Sequence, residues 1–280
     1  QLIKDVPTDE IPSLTKAEDG GDFYVDTILG TYYLSLNDQK EPFNDVNVRK
    51  ALSLAIDRDY VANTIMQGTY TPAYNIVGPG IVDENGMFYD NANGGKTYIS
   101  EDYEANLEAA KQALADAGYP NGEGFPVIEY STNDAGYHTP VAEYLQQAWG
   151  ELGITVNINK VEWASFTPMR RAGDYDASRN GWVMDYNDPS NMLELFTTGN
   201  GNNDGKYSNA DFDAAIEASK VADKSVHFQK LHEAEDILMN DYACIPVAYY
   251  NDFWLQSPSL KGTWHSPYGY WYLQYGYVEE

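Results

Sequence analysis

Cysteine is the first scarcity. Cys244 is the only one, so the chain can close no internal disulfide and can build no cysteine-based zinc site. Cations are the second: 17 Lys and Arg stand against 43 Asp and Glu, a formal net charge of -26 at pH 7. Such a surface repels phosphate backbones and anionic headgroups, which argues against nucleic-acid binding and electrostatic membrane association. No apolar run reaches transmembrane length and no signal peptide is present; the chain opens at Gln1 without Met and reads as a piece of a longer polypeptide. Histidine is sparse, and His138, His227, His232 and His265 show no ligand spacing, so surface positions are expected and metal is not. A nucleophile elbow, a phosphate loop and a dinucleotide fingerprint are all missing, and neither an enzyme nor a cofactor is expected.

What is present is core-forming material. The chain is 43% hydrophobic and 14% aromatic, with 24 Tyr and 6 Trp, far richer than a solvated acidic segment. It folds, and its 280 residues suffice for one large or two small cores. Most of the rings belong to the core, with a minority free to grip a ligand.

Periodicity supplies the elements. Residues 1 to 21 are polar, carry Pro7, Pro12 and Gly20-Gly21, and read as a lead-in with little core of its own. Tyr24 to Leu36 reads as a strand. A helix starts at Asn44 or Asp45, shows Val48, Ala51, Leu52, Ala55 and Ile56 as one stripe, and runs to Gly68, with Asp57 and Arg58 as surface or capping charges. Residues 69 to 98 read as a long surface loop. Helices are expected over 100–117, 140–152, 164–172, 190–196, 209–222 and 225–239, and strands over 127–131, 154–158 and 245–253. The strand, helix, strand order across 127–158 implies a βαβ unit with parallel pairing. The aromatic, Gly/Pro-rich tail from Ser257 to Glu280 should be docked. Asn200 to Asp211 superficially tracks a calcium loop, but its first place is Asn and its twelfth Asp, so a polar loop is the better reading.

The stretch that carries chemistry is Arg179-Asn180-Gly181-Trp182-Val183-Met184-Asp185-Tyr186-Asn187-Asp188-Pro189. Read as a strand from 175 to 186, it puts Arg179, Gly181, Val183 and Asp185 on one face and Trp182, Met184 and Tyr186 on the other. A cation, a bare backbone and a carboxylate on one face can meet the carboxylate, main chain and amine of a short extended peptide. The competing reading is a turn, since Asn, Asp and Pro at the end of the run are turn residues. Asp185 and Asp188, three apart across that turn, lack the facing geometry of a glycosidase pair. Three of the five arginines, Arg170, Arg171 and Arg179, fall within ten residues of one another, beside Asp174 and Asp176; an internal ion-pair network is as fair a reading as a ligand site.

This stretch, together with Glu162-Trp163-Ala-Ser-Phe166 and Arg170-Arg171-Ala-Gly-Asp174-Tyr175-Asp176, resembles the ligand-facing segment of the extracellular oligopeptide-binding proteins of ABC importers. Phe43 to Arg58 resembles a signature helix of solute-binding proteins of the peptide and nickel class, and Gly30 to Asn37 resembles the family's connecting strand. The resemblance covers nearly the whole chain. It implies an α/β fold, a mixed sheet flanked by helices, forming one lobe of a two-lobe periplasmic-binding-protein-like fold. Residues 1–29 would lead in from a partner lobe, 30–250 would form the C-terminal peptide-binding lobe, and 251–280 would return to the partner.

Residue by residue, the resemblance assigns Arg179 and Arg170 to the peptide's carboxyl end or side chains, and Arg171 to the same pocket through water. Trp163 and Trp182 would line the pocket, Tyr250 would stand at its mouth, Gly181 to Val183 would pair with the ligand backbone, and Asp185 would neutralise the peptide's amino terminus. Family members often carry His at the Arg171 position, so this pocket would be more cationic. The implied function is capture of short peptides by a monomer, membrane-tethered when full length, at the extracellular face or in the periplasm, for delivery to an importer's permease. A receptor for another zwitterionic or cationic solute, a secreted carbohydrate-active enzyme and a sugar-binding module remain as alternatives.

Overall fold

The computed structural model describes residues 1–4, 6–14 and 22–279; the Gly20-Gly21 pair and Glu280 lie outside them. Six strands line up as β1 (Leu2–Ile3), β7 (Ile245–Gln256), β2 (Phe23–Leu36), β6 (Ala177–Val183), β4 (Ile128–Thr132) and β5 (Val156–Lys160), and the short β3 (Thr71–Pro72) also pairs with β7. Pairing is antiparallel through β1, β7, β2 and β6, then parallel through β6, β4 and β5. The expected mixed sheet and parallel unit are therefore present, with Ile128 opposite Val156. The bridging helix α3 (His138–Gly150) buries Val141, Leu145, Ala148 and Trp149.

Five helices begin at a residue whose side chain caps them. Asp45 caps α1 (Val46–Leu54), Asp102 caps α2 (Tyr103–Asp116), Glu162 caps α4 (Trp163–Ala172), Asn209 caps α5 (Ala210–Ser219) and Asp223 caps α6 (Lys224–Asn240), each accepting a main-chain N–H with its side chain. Gly173, at a φ of 81°, closes α4 in the left-handed region. Trp149 ties α3 to α1 by donating its indole N–H to the Leu52 carbonyl at 2.9 Å.

Three expectations need correction. The helix from 45 does not run to Gly68. It stops at Leu54, and Asp57 accepts the Tyr60 N–H to start a second, irregular turn. Arg58 is no surface charge: it is 2% exposed and donates to the carbonyls of Pro246, Ser53 and Ile56. Burial lowers its pKa to about 10, so it still carries charge at neutral pH.

Residues 69 to 98 are not a surface loop either. Thr69, Ala73, Asn75, Ile76, Val77, Ile81, Phe88 and Ala92 are buried, because other elements satisfy the segment's backbone. Thr31 donates to the Ile76 carbonyl at 2.8 Å and Glu235 accepts the Val77 N–H at 2.9 Å. The lead-in has little core of its own and adds Val6 and Ile11 to the common one.

The tail is docked in part. His265 contacts Asp252 at 2.6 Å and Trp271 packs edge-on against Trp254, while Tyr270, Tyr275 and Tyr277 stay exposed. Among the described residues no helix is long and apolar enough to cross a membrane.

Candidate ligand-binding site

Strand β6 lies inside the sheet, yet one of its edges is open. On one side β2 pairs with it along its whole length, from Gly30 opposite Val183 to Leu36 opposite Ala177. On the other, β4 pairs only at Ala177 and Ser178. From Arg179 to Val183 that edge has no strand among the described residues. It is the one place where an extended ligand could join this strand. The Gly181 N–H is already held by the Asn180 side chain at 2.8 Å, and the Arg179 carbonyl accepts from Ser178 Oγ and Arg170 Nη1.

Arg179 is the first residue of the open stretch. Its guanidinium lies 5.7 Å from the Tyr32 ring and 5.8 Å from the Trp163 ring. Among the described residues no carboxylate pairs with it, and its Nε is buried without a hydrogen-bond partner. With Trp163, which is 53% exposed, it lines a cavity of about 710 Å³ shared with Asn133, Asp134, Lys160 and Glu162.

A smaller cavity of about 210 Å³, bounded by Tyr32, Tyr70, Tyr137, His138 and Phe253, shares Tyr32 and Ala135 with those surroundings or their lining. His138 is therefore not a surface histidine. Burial and then the Arg179 charge push its pKa down to about 3, which keeps the imidazole neutral. The other three histidines are engaged as well, His227 with Asp188, His232 with Asp83 and His265 with Asp252.

Tyr250 stands over Gly181 and Gly30. A Cβ on Gly181 would overlap the Tyr250 hydroxyl, and one on Gly30 would crowd the same ring. The bare backbone of Gly181 thus serves the packing of Tyr250 first. Tyr250 also meets Tyr32 and Tyr70 edge-on at 6.2 and 5.6 Å.

The strand ends at Val183, two residues short of Asp185. Asp185 follows in a turn whose geometry rests on Asn191, a residue that sequence reading missed. Asn191 Oδ1 accepts both the Asp185 N–H at 3.1 Å and the Trp182 indole N–H at 2.9 Å. Nothing in the sequence marks it apart from other turn asparagines. The Asp185 side chain is exposed and has no partner among the described residues. Asp188 is occupied, accepting the Ser190 N–H and contacting His227.

The three arginines do not act together. Arg170 Nε lies 2.7 Å from Asp204 Oδ2, both side chains nearly buried, and neither Asp174 nor Asp176 pairs with it. Asp176 instead pairs with Lys40. Arg171 is exposed and lines a separate cavity of about 440 Å³ with Lys206 and the loop from Thr198 to Asn203. The structure therefore joins Trp163 with Arg179, and Gly181 with Tyr250. It sets Trp182 and Asp185 on the Asn191 clamp and takes Arg170 and Arg171 elsewhere.

Residues 1–204 match the family model described as bacterial extracellular solute-binding proteins, family 5, middle region. The chain is 32% identical over 261 residues to the oligopeptide-binding protein OppA of Bacillus subtilis, covering 92% of this chain and 46% of that protein. It is 34% identical over 251 residues to the haem-binding protein A of Haemophilus influenzae, covering 86% and 43%. Among solved structures, Haemophilus influenzae OppA in complex with RPPGFSPFR superposes with a TM-score of 0.83 at 29% identity, over 100% of this chain and 54% of that one. The chain spans about half the length of the curated relatives it matches.

Proposed function

The chain belongs to family 5 of the bacterial extracellular solute-binding proteins, and from that premise we propose that it is the ligand-reading lobe of a peptide receptor serving an ABC importer. The observation that carries the reading is Arg179. In a chain of net charge -26, one cation sits between two rings, without a carboxylate partner among the described residues, where the strand edge opens. A guanidinium left without a counterion in acidic surroundings is suited to a ligand carboxylate.

Under this reading the carboxyl end of a short peptide meets Arg179, its main chain lies along Gly181 to Val183, and its ammonium meets the unpartnered Asp185. Trp163 and Tyr250 flank it. Residues 30–250 form the peptide-binding lobe, and 1–29 and 251–280 connect to a partner lobe that closes the cleft. The receptor works as a monomer, tethered to the membrane at the extracellular face or in the periplasm, and passes its peptide to the permease. It binds without chemistry and needs no cofactor.

The test is mass spectrometry of material released by denaturing the complete receptor purified from its own cells. Short peptides of varied sequence are expected. One relative bears the name of a haem-binding protein, so release of haem, a sugar or another single solute in place of peptides would replace this reading.

A further inference from the structure

We propose that Arg170 and Asp204 neutralise one another within the scaffold, which takes Arg170 out of ligand contact and leaves Arg179 as the one arginine reading the ligand's anionic end. This rests on the peptide reading above. Asp204 Oδ2 forms an ion pair with Arg170, 2.7 Å from its Nε, and accepts the Asn180 side-chain amide at 3.1 Å; that amide also donates to Ser35 Oγ at 3.0 Å. The Tyr175 hydroxyl donates to the Asp204 carbonyl at 2.7 Å. Arg170 Nη1 reaches the Arg179 carbonyl at 3.3 Å, and the guanidinium lies 5.4 Å from the Phe166 ring. The cluster thus ties α4, β2 and the loop before α5 to β6 at Arg179 and Asn180.

Charge decides the consequence. The Arg170 and Asp204 side chains are 11% and 5% exposed, so their charges compensate one another at close range and the cleft sees a dipole. Arg171 lines another cavity. Three neighbouring arginines reduce to one that faces the ligand, which fits a ligand end with one carboxylate.

Calorimetry on the complete receptor tests this with tripeptides ending in a carboxylate or a carboxamide. Removing one member of a buried pair strands the other, whereas replacing both does not. Arg170→Gln and Asp204→Asn alone should each lower the thermal midpoint. The double variant Arg170→Gln/Asp204→Asn should regain it and keep the carboxylate preference within about threefold of the unmodified receptor, whereas Arg179→Gln should lose it by more than about tenfold.

A double variant that loses the preference as fully as Arg179→Gln would overturn the proposal, because Arg170 would then touch the ligand itself. The unmodified receptor gives a second measure. In arginine side-chain NMR, the Arg179 Nε–H signal should move between the two peptides and that of Arg170 should not; equal movement also overturns the proposal. A receptor that binds neither tripeptide refutes the peptide reading and this inference together. One that binds both but fails either comparison refutes only the inference.

Discussion

Gly181 lies so close beneath Tyr250 that a methyl group in place of its hydrogen would overlap the tyrosine hydroxyl. Gly181→Ala should therefore push Tyr250 off β6 and destabilise the fold by about 1 to 3 kcal/mol, the usual cost of overpacking. Urea denaturation measures it. Adding Tyr250→Phe, which removes the overlapped oxygen, should restore part of the loss. A neutral Gly181→Ala would mean that Tyr250 is free to swing away.

Arg179 should behave oppositely to a structural arginine. No carboxylate among the described residues compensates it and its Nε is buried without a partner, so Arg179→Met should hold or raise the thermal midpoint. Affinity for a free-carboxylate peptide should fall by about tenfold or more. A steep drop in the midpoint would place Arg179 in the scaffold instead.

For Asp185, an ammonium enclosed beside a carboxylate and then deprived of it loses about 3 to 5 kcal/mol. Asp185→Asn in the complete receptor should thus weaken a free-amine peptide more than about a hundredfold. The variant should barely distinguish that peptide from its N-acetylated form. Independent, additive losses from acetylation and from Asp185→Asn would show that the two groups never meet.

Two buried carboxyls set the pH dependence. Burial raises the pKa of Glu235 and of Asp38 to about 8, although Arg49 stands 3.9 Å from Asp38. Native protein therefore holds protons that the unfolded chain releases above its ordinary carboxyl values. Their contribution to stability is complete below about pH 4 and is lost as pH rises towards about 8. Thermal midpoints should fall across that window, and Glu235→Gln should flatten the fall. An unchanged slope in that variant would remove Glu235 from the account.

Much of the fold was legible because it is local. The Asp45 cap, the stripe on α1 and the β-forming runs of β2 and β7 are each written within a few residues, and the βαβ spacing forces β4 and β5 to pair in parallel. The long segment after α1 was misread because its backbone is satisfied by Thr31 and Glu235, 45 and 158 residues away from the groups they bind. No local pattern reports partners at that range.

The sequence by itself determined which chemistry was available: one stretch containing Arg179, Gly181 and Asp185, rich in rings nearby, in a chain with cations too few to waste on a random surface. It also determined the family, since that stretch and the α1 text are long and specific. Which arginine remains for a ligand was decided only in three dimensions. Asp204, on a loop that reads as a polar turn, folds back onto Arg170. Asn191 clamps the turn that carries Asp185, and Tyr32 and Trp163 meet around Arg179 from elements 131 residues apart in the chain. Charge compensation depends on distance through space, and the sequence records only distance along the chain.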